Sequence, residues 1–407
     1  MLKKLMNFRK DELVKGSIVL FLMVGIFNVV NYAFHFAMAR MLDPGNYAIL
    51  VVLTSVGAIF SVPSEAIQTI SSKYSSKFAK NAGKLKDLMI RGMKKALKLS
   101  SLCYLLYIPV ALFLSFFLDI KFILLMLTGL IVFGLFTSPI LRGVLQGKKR
   151  FIGLGLSLNV ESLMKVALGV LLVYLVKDVY GAVVAIVLST VIGFLFTLSL
   201  LKGLLKEKRE NVDMKGIYAY GFTTFLLFLS IVLILSLDVI LAKRFFSAEI
   251  AGQYAVASLL GKTLFFGTSG IGKAMFPIAT GKQQHERRGI LKKATILTIV
   301  ICAGVLLAFA IAPELITRLM FGSKYLVASS IILYTGIAFS LLSLTNLVVL
   351  HKLSHGKVKN PYYLFIFVLV EILLLWGFSQ SLLSYSIGLC IANLICLAGS
   401  LFLKSEK

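Results

Sequence analysis

About twelve stretches of this chain stay apolar long enough to cross a lipid bilayer, and that property removes most folds at once. Inside lipid a segment must satisfy its own backbone polar groups, so only helices and closed β-barrels survive. The runs are continuous rather than alternating, which excludes a barrel and predicts an all-α, multi-pass membrane protein. They lie near 16–39, 47–72, 97–118, 122–146, 152–176, 179–201, 217–242, 250–278, 292–312, 326–350, 361–378 and 382–403. The first run is too long for the apolar core of a cleaved leader. It carries Asn28, Asn31 and His35 with no small-residue cleavage site, so it reads as a retained helix.

A net charge of +26 suggests nucleic acid until its distribution is followed. With the N-terminus inside, cytoplasmic segments hold 33 of the 43 basic residues and the opposite loops hold 7. Only Lys165, Lys262 and Lys273 lie within spans. Such alternation is the positive-inside pattern; it excludes a nucleic-acid partner and predicts both termini in the cytoplasm. The outer loops are too short for an extracytoplasmic domain. The largest inner loop, 73–98, places Leu85, Leu88, Met89 and Met93 at helical spacing among lysines, which predicts an amphipathic helix on the inner leaflet.

The chain also repeats itself. Gly45-Asn46-Tyr47-Ala48 returns as Gly252-Gln253-Tyr254-Ala255, an offset of 207 that also relates Asn31 to Asp238. Each copy follows a short polar hairpin between long apolar runs. The charged stretch 202–215 falls between two sets of six runs, predicting an N-terminal lobe over 1–206 and a C-terminal lobe over 207–407. Six spans per lobe leave both in the same orientation, related by a pseudo-two-fold along the membrane normal. A seam between similar halves can open to either side, which points to a transporter.

No catalytic module is visible. Leu260-Gly261-Lys262-Thr263 imitates the end of a Walker A loop, but Val256 stands where its first glycine is required, inside a span. His351 and His355 are four apart on a lysine-flanked inner segment with no neighbouring Glu, which reads as a solvated loop rather than a metal site. The four cysteines, Cys103, Cys302, Cys390 and Cys396, lie in spans without metal-ligand spacing. No metal, cofactor or enzymatic chemistry is expected.

Charged groups at membrane depth are costly and face a cavity or a partner. Lys262 and Lys273, eleven residues apart, share one helical face with Ser258 and Ser269. That face suits an anionic, phosphate-bearing ligand, unless Asp238 or Glu371 neutralises one lysine across helices. Pro277 and Pro63 mark bends late in repeat-equivalent spans. Asn28, Asn31 and His35 form a polar stripe with Arg40 beyond its outer end, suited to hydrogen-bonding a polar solute or to joining helices. Glu65 belongs to a second stripe with Thr54, Ser61 and Gln68. Glu161 and Lys165 have the spacing and order of an intrahelical ion pair. Asp238, Glu371 and Glu65 are candidate carriers of a coupling ion.

Several of these segments share a pattern. Ala39-Arg40-Met41-Leu42-Asp43-Pro44-Gly45-Asn46-Tyr47-Ala48 resembles the "aR-x-L-g-p-e-x-Y-g" hairpin of polysaccharide-biosynthesis flippases. Arg142-Gly143-Val144-Leu145-Gln146-Gly147, with basic residues and Phe151 following, resembles their "l-R-G-x-l-Q-G-x-x-r-F" stretch. Gly252 to Lys262 resembles their "a-G-x-Y-x-x-a-x-x-l-g-k" segment. These oligosaccharide flippases belong to the multidrug/oligosaccharidyl-lipid/polysaccharide exporter superfamily. The resemblance implies two six-helix lobes around a central cavity. It also implies a polyprenyl-(pyro)phosphate-linked oligosaccharide as substrate, membrane lipids and glycan-assembly enzymes as partners, and a place in the cytoplasmic membrane. Span 1 has no intramembrane arginine matching the lipid II flippases, which disfavours a peptidoglycan precursor.

On that reading Lys262 and Lys273 meet the phosphate, Arg40 gates or captures at the outer end, and Asn28, Asn31 and His35 meet sugar. A drug/cation antiporter of the same superfamily is the rival, though it favours acids over lysines. A membrane-embedded glycosyltransferase or polymerase is a further rival, but it needs a large outer loop that this chain lacks.

Overall fold

The computed structural model describes residues 12–212, 222–279, 283–354 and 358–403. Long helices dominate: α1 Glu12–Met41, α2 Pro44–Lys77, α3 Ala82–Leu118, α4 Phe122–Gly129, α5 Ile131–Gly147, α6 Phe151–Val176 and α7 Val179–Ser199. After the short α8 Lys202–Lys206 come α9 Phe222–Phe245, α10 Ala248–Ala279, α11 Gln284–Ile311 and α12 Pro313–Phe321. The chain then runs through α13 Ile332–Leu353, α14 Leu364–Gly377 and α15 Leu382–Leu401. Among the described residues ten helices are long and apolar enough to cross a membrane, α4 and α5 together forming one of them. The more polar α10 and the 14-residue α14 occupy the other two expected spans.

Lipid explains the outer surface. Phe116 is 82% exposed on α3 and Ile311 74% exposed on α11, an arrangement water would penalise and hydrocarbon does not. Since apolar burial cannot drive helices together there, close packing and internal hydrogen bonds must. The α2–α5 crossing is built that way. Gly143 and Gly147, one turn apart on α5, lie against Ser71 and Ser75 of α2; a Cβ on either glycine would come within 2.5 Å of the facing serine Cβ. Ser71 Oγ donates to the Ile140 carbonyl at 2.8 Å, and Gln68 Nε2 to Gln146 Oε1 at 3.0 Å. The Arg-Gly-x-x-Gln-Gly motif is thus, in its glycines and glutamine, a helix-crossing device.

The chain forms two compact units, Met1–Leu42 with Phe60–Tyr220, and Asp43–Ile59 with Gly221–Lys407. Helix α2 is therefore shared. Pro63 has no N–H to give the carbonyl of Ile59, so the helix lacks a hydrogen bond where its membership changes.

In the first unit, the inner segment is not a separate helix on the leaflet. Residues 82–118 form one continuous helix, and Leu85 and Met89 pack against Leu141, Val144, Leu145 and Leu204. The apolar face predicted to meet lipid has a protein partner because the interlobe stretch folds back along it. Buried Asp87 anchors that stretch, pairing with Arg91 and Arg209 and accepting the Val212 N–H at 2.9 Å.

In the second unit, the two copies of the repeated motif meet. A Cβ on Gly252 would lie 2.2 Å from the Pro44 carbonyl oxygen, and one on Gly45 3.1 Å from Ala248 Cβ. Tyr47 and Tyr254 are both fully buried, Tyr47 beside Phe321 and Tyr325, Tyr254 beside Tyr385. Asp43 starts α2, accepting the Asn46 N–H at 2.9 Å and its Nδ2 at 2.6 Å. His351, read from sequence as loop, lies in the last turn of α13 and is 5% exposed, because that helix runs further than its apolar run. His355 lies outside the described residues, among which no cluster suits a metal ion.

Candidate functional site

Tyr254, Ser258 and Lys262 follow one another at four-residue steps, so they line one face of α10. All three converge on Asp238 of α9. Lys262 Nζ donates to Asp238 Oδ1 at 3.0 Å, Ser258 Oγ to Oδ2 at 2.5 Å, and Tyr254 Oη to Oδ2 at 3.2 Å. Tyr385 Oη donates to the Asp238 backbone carbonyl at 2.7 Å, and the Lys262 ammonium stands 5.3 Å from the centre of the Phe339 ring. Asp238 is fully buried and Lys262 is 6% exposed. Of the two alternatives left open by the sequence, cross-helix neutralisation of Lys262 by Asp238 is the one observed. Neither residue is an uncompensated charge. Glu371, on α14, is 1% exposed, and neither carboxyl oxygen has a hydrogen-bond partner among the described residues.

The first unit holds a matching stripe. Ser157, Glu161 and Lys165 follow at the same four-residue steps along α6. The expected intrahelical pair between Glu161 and Lys165 is not what forms. Glu161 Oε2 accepts from Arg142 Nη2 of α5, and Arg142 Nε is held by Ser157 Oγ at 3.0 Å. A guanidinium fixed by a second hydrogen bond outcompetes a flexible ammonium for the carboxylate. Lys165 turns to α1, where its Nζ donates to Asn31 Oδ1 and stands 4.9 Å from the centre of the Phe34 ring. Asn31 Nδ2 in turn donates to the Phe27 carbonyl at 2.8 Å.

The remaining expected residues are placed as follows. Asn28 is exposed on α1, His35 is half-buried and Arg40 is exposed in the last turn. Glu65 is exposed near the middle of α2. Lys273 and Pro277 belong to α10, but their side chains lie outside the described residues. An apolar cavity of about 220 Å³ between α11 and α13, lined in part by Thr298, Cys302 and Ser340, contains none of the expected site residues. Sequence reasoning missed Arg142, Tyr254 and Tyr385. The four-residue steps from Tyr254 to Lys262 were available as a signal; Tyr385 joins from a helix more than a hundred residues away and left none.

Charged and polar side chains are thus set into apolar, membrane-length helices of both units. The chain belongs to the polysaccharide biosynthesis protein family, whose sequence profile matches residues 13–283. No curated protein matches it significantly. Among solved structures it is similar to an inward-facing multidrug resistance MATE family transporter of the MOP superfamily. The TM-score there is 0.72 at 15% identity, covering 94% of this chain and 97% of the other. The lipid II flippase MurJ in its inward closed conformation gives 0.71 at 15% identity, covering 95% and 87%. A eukaryotic MATE transporter gives 0.64 at 14% identity, covering 96% and 95%. At such identities these likenesses establish the fold.

Proposed function

We propose that this protein carries a polyprenyl-(pyro)phosphate-linked oligosaccharide across the cytoplasmic membrane by alternating access. Both termini lie in the cytoplasm, the cargo is chemically unchanged, and glycan-assembly enzymes receive it. The observation that carries this reading is the pair of polar stripes at membrane depth, one in each unit, in a member of the polysaccharide biosynthesis family. A sugar head group dragged through hydrocarbon would strip many hydroxyls and its phosphate charges of water, and each such group costs kilocalories unless it is re-bonded. Side-chain amides, hydroxyls and cations inside the spans supply those bonds, while the prenyl tail stays in lipid.

Asn28, Asn31 and His35 are assigned to sugar and head-group contacts, Arg40 to the outer end, and Lys273 to phosphate. Lys262 joins them only when its pair with Asp238 opens. Opening that pair is a natural coupling step, so Asp238 is assigned with Glu371 to the carriage of a coupling proton or cation, and Glu65 remains a third candidate.

Translocation in proteoliposomes, read by an impermeant glycosidase acting on the lipid-linked glycan, tests the reading. Carrier-dependent transport by the wild type is expected. Well-folded protein that moves none of several polyprenyl-linked glycans would end it. The buried acids of the second unit would then favour drug or cation exchange.

A further inference from the structure

We infer that Lys165, with Asn31 and Asn28, binds the phosphate end of an organic phosphate ester within the first unit, a role that rests on the flippase reading above. Three ionisable side chains lie close together on α5 and α6: Arg142, Glu161 and Lys165. The only carboxylate of the three is taken by Arg142, which leaves one positive charge without a counter-ion among the described residues. Lys165 stands near the middle of α6, where its contacts are an amide oxygen and an aromatic face. Glu161, one turn away on α6, is engaged by Arg142 instead.

An unbalanced ammonium at this depth is costly, and a protein that retains one draws its counter-charge from elsewhere. The neighbouring surface indicates where. Asn28 is exposed one turn from Asn31, and Gly25 beside it has open space around its Cα. An exposed carboxamide at mid-span implies water rather than lipid, so an anion can reach the lysine from that side. A lysine with two asparagines provides one charge and several hydrogen-bond donors. A phosphate or pyrophosphate ester fits that set; a carboxylate-poor, cation-bearing drug does not.

The test uses the full chain in nanodiscs, titrated with farnesyl pyrophosphate and with inorganic pyrophosphate by calorimetry. The wild type should bind, with Lys165→Gln weaker by about tenfold or more and Lys165→Arg within about threefold. Asn31→Asp places a carboxylate on the ammonium, so it should raise the thermal midpoint and yet weaken binding by about tenfold or more. This variant keeps the test decisive if Lys165→Gln folds poorly. Lys206→Gln, on the exposed α8, should bind as the wild type does. Binding of farnesyl pyrophosphate alone identifies a lipid head group; equal binding of inorganic pyrophosphate identifies a soluble phosphate source. Wild-type affinity in both Lys165→Gln and Asn31→Asp, or no binding by the wild type, overturns the site. If glycan translocation persists in that case, the flippase reading stands and only the site falls.

Discussion

Asn31 and Asp238 occupy equivalent positions in the two repeats, and each accepts a hydrogen bond from a lysine on a neighbouring helix. The difference is one atom type. Asp238 neutralises Lys262 and is itself closed by Ser258 and Tyr254, whereas Asn31 is neutral and leaves Lys165 charged. The second unit holds a further acid, Glu371 on α14, which has no hydrogen-bond partner among the described residues. The two units thus satisfy an intramembrane lysine differently, one on a neutral amide and one on a carboxylate.

The comparison can be broken most sharply at Asp238. Asp238→Asn orphans the buried Lys262 ammonium and should cost roughly 3–5 kcal/mol, seen as a large fall in thermal midpoint or loss of monodisperse protein. Combining Asp238→Asn with Lys262→Met removes both charges and should recover most of that loss. If the single and double variants unfold alike, the pair is not the counter-ion arrangement described.

The same truncation applied to the other half sharpens the contrast. Lys165→Met should be neutral or stabilising in a thermal melt, because no acid is left behind, while Lys262→Met alone orphans Asp238 and should be strongly destabilising. Equal losses at the two sites would erase the distinction between the units.

Smaller effects are expected where the repeated motifs meet. Gly252→Ala drives a methyl group against the Pro44 carbonyl and should cost about 1–3 kcal/mol; Gly45→Ala, with a looser contact, should cost less. The smallest effect belongs to Asp43. Partial burial pushes its carboxyl up, but hydrogen bonds from the Asn46 N–H and side chain outweigh this and hold it below the ordinary 3.8. A depressed folded value means that its contribution is complete above the unfolded pKa and is lost as pH falls through the folded one. Asp43→Ala should therefore lower the melt by about 1 kcal/mol or less at neutral pH, with the difference vanishing in acid below 3.8.

Much of the architecture was legible because it depends on local composition. Apolar run length marked the spans, and the structure places long helices at them, except that α4 and α5 break one run and α14 is short. The Gly-Asn-Tyr-Ala repeat was legible as a repeat, but its packing was not, since Gly252 against Pro44 is a contact across two hundred residues. The inner amphipathic segment was misread for a related reason. Its pattern at 85–93 shows that an apolar face needs cover without saying whether lipid or the folded-back 202–212 stretch supplies it.

The sequence by itself determined that this protein spans a membrane with helices, carries one short motif twice, and keeps charged side chains where lipid would reject them. Hydropathy, spacing and residue type are sufficient for those conclusions because each is a property of one segment. Only the tertiary structure decided how the charges are paired: Glu161 with Arg142 rather than Lys165, and Lys262 with Asp238. Coulombic attraction and desolvation act over a few ångströms in space, so which charges pair depends on which helices touch.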